Sequence, residues 1–474
     1  MILCRRSLLA LATLALGGCA SDSLWLAEVR NEDLPWALHG SVVSDEGSMD
    51  AWVVFHRGVI LYVGSDESRV PLHARRISYD GYIFPGLIDT HNHAPWNTIP
   101  MWRAGHPFKN RYEWQADPEY LAQCDGVFRK NIRGRLVRDL KLADSNRRDA
   151  SVADVGLEDL ALRYAEVRAV VGGTTLLQST YLRPEPRLLI RKLDSNYSCD
   201  SRIPDIRSIP QEELERFRTG LERRSLRRVF LHLAEGQRSD RERTGAEFPF
   251  LESKGLVRPG VVLIHGVGLT REEIQKVARA GMYLVWSPKS NLVLYGETMD
   301  VEAALDAGVT IALAPDWTIS GSNNVLEEMK VAWQFSQEHL GGRIKPERLF
   351  KMVTSDAAKV AGVEGFLGVV APRYAADLML APRRDQDPYS SLLKISAADI
   401  HLVFVDGRPV YGDMEEIKKW IRPEAVDPLP LKGSQKGVVT LGDSLQVMGY
   451  DLHFPEIEAL LEKALPKLAP LEER

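Results

Sequence analysis

The stretch that most constrains this chain is Phe84–His93. An apolar run, Ile83–Ile88, leads straight into two histidines, His91 and His93. In an extended strand, residues i and i+2 point the same way. Two imidazoles at a strand's end can therefore face one point and share one metal ion. A surface His-x-His would not need the apolar strand before it, nor the partners that recur downstream.

Those partners follow the same rule. The run Arg228–His232 ends in a histidine and continues to Glu235, Gly260–His265 ends in a second, and Thr310–Leu313 is followed closely by Asp316. Met282–Trp286, Thr174–Gln178 and Leu188–Leu193 read as further strands. Helical segments lie between them, including Leu157–Val171 and Gln211–Arg224. Alternating strands and helices predict a parallel α/β architecture. Polar residues delivered at strand C-termini mark the face where barrel enzymes keep their sites. Seven candidate strands are found, and an eighth is expected between residues 94 and 228.

The ends of the chain read differently. Leu38–Val43, Ala51–Phe55 and Gly58–Gly64 are short strands punctuated by Gly, Asp and Ser. After Gly362 the same texture returns at Ala376–Leu380, Ile400–Val405 and Arg408–Tyr411. Pairing of the two sets into one small β domain is expected. The segment 94–156 is long and rich in Trp96, Trp102, Phe108, Tyr112, Trp114 and Tyr120. Long insertions in compact domains are commonly functional, so it is read as a lid over the site. Phe454–Leu465 has one apolar stripe, Ile457, Leu460, Leu461, Ala464 and Leu465, suited to docking on the body.

At 474 residues, 45% apolar and 26% charged, the chain can bury a large core in more than one domain. A net charge of −5 gives no electrostatic reason to expect nucleic-acid binding. Arg5 and Arg6, the short apolar run Ser7–Leu16 and the small residues before Cys19 form a secretory signal. Its end resembles a bacterial lipobox, which implies cleavage before Cys19, lipid on that cysteine and, with Ala20 next, outer-membrane sorting in a Gram-negative bacterium. Export allows a disulfide between Cys124 and Cys199.

Taken together, Pro85–His93, Gly173-Thr174-Thr175, His232-Leu233-Ala234-Glu235, Ile264-His265-Gly266, Ser287-Pro288-Lys289-Ser290-Asn291, Asp316–Gly321 and Gly365–Leu378 resemble the amidohydrolase superfamily. The resemblance is to its branch of cytosine, guanine and adenosyl-homocysteine deaminases and triazine hydrolases, and it covers roughly residues 36–412. One departure is Ala314-Pro315 where the family more often has Gly-Thr before the aspartate.

The resemblance implies a distorted TIM-like (β/α)8 barrel with a small β-sandwich built from both chain ends. The expected organisation is a signal peptide over 1–18, a tether over 19–34, the first sandwich part over 35–83, the barrel over 84–362 with its 94–156 lid, the second sandwich part over 363–415, and an extension over 416–474. It implies that His91, His93, His232 and Asp316 hold one divalent metal, Zn²⁺ first and Fe²⁺ the alternative, which activates a water as hydroxide. Glu235 would be the general acid/base, His265 a hydrogen-bonding partner of the hydroxide or developing oxyanion, and Asp316 an aid to deprotonation. Lys192, the one lysine on an early strand, is read as a surface-edge residue and not as a carboxylated bridge between two metals.

The expected reaction is hydrolysis of a non-peptide C–N bond in a small cyclic or heteroaromatic substrate, deamination foremost. Opening of a cyclic amide or imidazolone ring is the enzymatic alternative, and an inactive lipid-anchored binding protein is the other. The expected partners are a small-molecule substrate and, through Cys19, a membrane. A homo-oligomer is compatible with the sequence.

Overall fold

The computed structural model describes residues 34–140, 153–179, 189–439 and 452–472. The signal, Cys19 and the tether through residue 33 lie outside the described residues, as do 141–152 of the 94–156 segment. Among the described residues, no helix is long and apolar enough to cross a membrane.

The two chain ends meet in one nine-stranded sheet. Its order is Val426–Leu431, Ser434–Val439, Arg408–Asp413, Leu402–Val405, Leu378–Pro382, Arg75–Pro85, Trp36–Ser44, Gly47–His56 and Val59–Gly64. The seam between the ends is antiparallel, with Leu378 opposite Pro85 and Leu380 opposite Ile83. Asp406 and Gly407 both have positive φ, 54° and 71°, as a tight hairpin between twisted strands requires. Trp36 and Phe404 lie on strands separated by two others, about 14 Å apart in a flat sheet at ~4.8 Å per strand. Their rings nevertheless meet edge-on at 5.3 Å, with Trp420 at 4.9 Å from Trp36. The sheet therefore curls over its own apolar core. It also runs past residue 415, through two strands that the sequence pattern did not reveal.

The body holds eight parallel strands among the described residues. Leu87–Asp89, Thr174–Leu177 and Arg191–Lys192 form one sheet. Cys199–Arg202, Arg228–Leu233, Val261–His265, Tyr283–Trp286 and Thr310–Leu313 form another, each strand beside its chain neighbour. A parallel bridge from Asn92 to Asp316 ties the first strand's end to the last. The eighth strand is Cys199–Arg202. It escaped the apolar-run criterion because three of its four residues are polar and half-buried at the sheet's edge.

Three expectations are corrected here. Ile83–Ile88 is not one strand. The chain leaves the nine-stranded sheet at Pro85 and enters the body at Leu87. Gly86 makes the crossing, where a Cβ would lie 2.3 Å from Thr175 Oγ1. Cys124 and Cys199 are both free and buried, and Cys199 Sγ is turned to the carbonyls of Tyr197 and Ala361. Lys192 is not at a surface edge but buried, 1% exposed. Its neighbour Arg191 instead joins body to sheet through a two-pronged contact with Asp377.

The helix Leu157–Val171 is buried on nearly every side, including the ion pair of Arg163 with Glu166 at 2.8 Å. Its cover is the C-terminal helix Phe454–Ala464 and the segment after it. Phe454 stacks on Tyr164. Tyr164 Oη and Arg168 Nη2 both donate to the carbonyl of Ala469, whose N–H donates to Thr98. The last described segment thus reaches the turn that follows His93.

Candidate metal centre

Strand ends carry every predicted site residue to one mouth. His91 and His93 follow Leu87–Asp89, His232 lies in Arg228–Leu233, His265 ends Val261–His265, and Asp316 follows Thr310–Leu313. The His91 ring lies 4.9 Å from His93, 4.6 Å from His232 and 5.4 Å from His265, centre to centre. Donor atoms of His91, His93 and Asp316, and of His91, His232 and His265, fall within 4.8 Å of one another. All five side chains are buried. The Ala314-Pro315 departure leaves Asp316 in this cluster.

The backbone turns sharply to bring them there. His265 and Asp316 have φ of +71° and +68°, and Ala234, beside Glu235, has +52°. Side chains other than glycine adopt this left-handed region seldom, and such conformations concentrate at working sites.

The partners behind the rings decide which nitrogen is free. Gln178 Oε1 accepts from the Asn92 N–H at 3.4 Å and faces His91 Nδ1 at 3.3 Å. Its amide nitrogen donates to Asp194 at 3.1 Å. With an oxygen behind it, His91 Nδ1 carries the proton and Nε2 presents a lone pair. That Nε2 stands 3.0 Å from Asp316 Oδ1, which is also 3.4 Å from His93 Nε2. His232 Nδ1 likewise faces a carbonyl, that of Arg202, at 3.3 Å. Its Nε2 is buried with no hydrogen-bond partner. A buried polar atom left so is costly, and lone pairs facing a carboxylate call for a cation between them. Three imidazoles and one carboxylate are a set that a divalent transition metal accepts. Ser290 Oγ holds the other Asp316 oxygen at 2.7 Å.

Electrostatics agrees with the geometry. Burial, and then His91 nearby, lowers His93 to about 4. Burial also lowers His265 to about 3 and holds His232 well below the ordinary range. For Asp316 burial acts to raise the pKa, but the close approach of His91 and the other rings outweighs it and keeps the carboxylate ionised. Burial acts to lower His91, but Asp316 beside it outweighs that and raises it. Glu235 is raised as well. Burial lifts it to about 7, against the pull of Arg111. Tyr295 Oη donates to Glu235 Oε1 at 2.6 Å, and Trp114 Nε1 donates to Tyr295 at 2.8 Å. Arg111 Nη1 lies 3.6 Å and His265 Nε2 3.8 Å from Oε2.

The mouth opens into a cavity of about 420 Å³, lined by His93, His232, Glu235, His265 and Asp316 and by Trp96, Trp114, Tyr120 and Trp317, with Gln115, Asp125 and Arg129 also on its wall. The Trp317 ring lies 5.1 Å from His93, 5.7 Å from Trp114 and 5.9 Å from Trp96. The 94–140 segment thus covers the site with aromatic wall.

Sequence reasoning missed the supporting residues. Gln178 ends an apolar strand, so the rule that found the histidines would have found it. Asp194, Arg111 and Tyr295 have no local signal, because each acts on a partner well away in the chain.

Residues 209–410 match the amidohydrolase family. A 5-methylthioadenosine/S-adenosylhomocysteine deaminase of Pyrococcus abyssi is 29% identical over 201 residues, 40% of this chain and 47% of that protein. The chain thus spans under half the length of this and similar curated relatives. Among solved structures, a zinc-bound adenosine deaminase from Xanthomonas campestris superposes with TM-score 0.59 at 18% identity, over 82% of this chain and 97% of that one. A triazine hydrolase from Arthobacter aurescens gives TM-score 0.60 at 18% identity, over 82% and 98%. Residues 209–410 are thus similar to the amidohydrolase family, and the chain has a TIM-barrel-like α/β fold.

Proposed function

We propose that this chain is a metal-dependent hydrolase of a non-peptide C–N bond in a small cyclic or heteroaromatic compound, with hydrolytic deamination of the ring as its reaction. The observation that carries the reading is the convergence of His91, His93, His232 and Asp316, lone pairs inward, beside a buried Glu235 raised to about 7. The deaminase names among the relatives support it.

In this reading His91, His93, His232 and Asp316 hold one divalent ion, zinc first. Such an ion would supply the Lewis acidity that activates a water as nucleophile near neutral pH. Glu235 takes the water's proton on Oε2, since Oε1 is held by Tyr295, and hands it to the leaving nitrogen. His265 faces the oxygen that forms on the attacked carbon. Asp316 assists in deprotonation. Trp96, Trp114, Tyr120 and Trp317 offer flat apolar faces to a planar ring and exclude water around it. The cavity's volume falls within the range of small-molecule sites.

Metal analysis together with ammonia release over a panel of aminated heterocycles tests the proposal. The expected result is about one equivalent of metal per chain, as in a single three-histidine, one-carboxylate site, and ammonia from at least one heterocycle. Ring opening without ammonia would replace deamination by amide hydrolysis, and metal-free protein without turnover would reject the enzyme.

The same reading takes the eight strands as a closed, distorted barrel and the curled sheet as a β-sandwich. It takes Cys19 as lipid-modified, with the protein held at the outer membrane and facing the periplasm, on the strength of Arg5, Arg6, Ser7–Leu16 and the small residues before Cys19. Metabolic labelling with a fatty acid is expected to mark the protein and to be lost in Cys19→Ala. Labelling that survives that substitution would reject the anchor.

A further inference from the structure

A buried relay runs behind His265, in the stretch Trp286–Thr298. It begins at a group with only one role. An indole N–H donates and never accepts, so Trp286 Nε1 donates to Thr298 Oγ1, at 2.8 Å. The threonine hydroxyl donates onward to Asn291 Oδ1 at 3.2 Å. With its oxygen so engaged, Asn291 presents its amide nitrogen to His265 Nδ1 at 3.1 Å. An amide nitrogen also only donates, so Nδ1 is an acceptor and the ring's single proton sits on Nε2. Each member of the relay is buried, so water does not compete for these contacts.

The contrast with the neighbouring rings gives this its meaning. His91 and His232 have oxygens behind Nδ1 and offer Nε2 as a lone pair. His265 has an N–H behind Nδ1 and offers Nε2 as a donor. By distance alone His265 groups with His91 and His232 as a metal ligand. By hydrogen bonding it is excluded from that role through Nε2, because a protonated nitrogen has no lone pair to give.

We propose that Trp286, Thr298 and Asn291 are positioning residues that lock His265 in its Nε2–H tautomer, so that it acts as a hydrogen-bond donor to the oxygen developing on the substrate and neither as a metal ligand nor as a base. The role in turnover rests on the function proposed above. The tautomer does not, since it follows from the relay alone.

The test uses full-length protein labelled with ¹⁵N-histidine. The two ring nitrogens are read by long-range ¹H–¹⁵N correlation, and the His265 signals are assigned by their loss in His265→Gln. The wild type is expected to show a protonated Nε2 and an unprotonated Nδ1 at this residue, with or without added zinc. Asn291→Asp puts a carboxylate where the donor stood, and is expected to move the proton to Nδ1. Turnover should fall about 10²–10³-fold, the usual cost of losing one oxyanion donor, with KM and bound metal little changed. Thr298→Val frees the Asn291 amide to turn, and is expected to give a mixture of the two tautomers. It also serves as the second variant should Asn291→Asp fail to fold. A wild type protonated at Nδ1, or a tautomer unmoved by both variants, overturns the relay. Loss of metal in folded Asn291→Asp overturns the donor role. If the tautomer responds as stated while no heterocycle is turned over, the relay stands and the proposed function fails on its own.

Discussion

Glu235→Gln is expected to keep its metal and lose about 10²–10⁴ in turnover, the range ascribed to a positioned acid/base. Glutamine preserves the hydrogen bond from Tyr295 Oη to the Oε1 position, so the site's shape changes little, but it can neither take a proton nor return one. In the unsubstituted protein only the carboxylate can accept the water's proton. With the Glu235 pKa raised by burial to about 7, kcat/KM should rise with pH through that region and then level off. The Gln variant should lack this limb. A Gln variant with full activity would remove Glu235 from the mechanism.

Removing a ligand should act differently. Asp316→Ala deletes the one anionic member of the set, which stands 3.0 Å from His91 Nε2 and 3.4 Å from His93 Nε2. Metal content is expected to fall from about one equivalent to below about 0.1, and turnover to background, because the water then returns toward its bulk pKa of about 15.7. The two variants thus separate chemistry from binding, one metal-loaded and slow, the other metal-poor and inactive. Elemental analysis alongside ammonia release reads both. An Asp316→Ala protein that holds a full equivalent of metal would move the centre elsewhere.

How much of this was legible in the sequence follows from where each residue's signal lies. His91, His93, His232, His265 and Asp316 each sit at the end of an apolar run, so local pattern alone ranks them together. The strand Cys199–Arg202 has no such run, because its position at a sheet edge lets polar residues face partly outward. Gly86 hid the break in Ile83–Ile88, since an apolar sequence reads the same whether it serves one sheet or passes between two. Lys192 looked like a surface residue beside charged Arg191 and Asp194. Instead Arg191 reaches across to Asp377, and Asp194 turns inward to Gln178 and the Ser179 N–H. Both cysteines were candidates for a bridge only because nothing local placed them apart. The supporting residues Thr298, Tyr295 and Arg111 were illegible for one reason. They recognise partners through the third dimension, and only tautomers and carboxylate oxygens reveal what they do.

The antiparallel seam between Arg75–Pro85 and Leu378–Pro382 bears on how the chain reaches this state. A strand emerging early from the ribosome must wait for one made near the end of synthesis, and closing so long a loop is slow. Until then Arg75–Pro85, paired on its other side with Trp36–Ser44, exposes an unpaired border open to mispairing with other chains. The sheet therefore closes only once Leu378–Pro382 has been made, whatever the state of the strands before it.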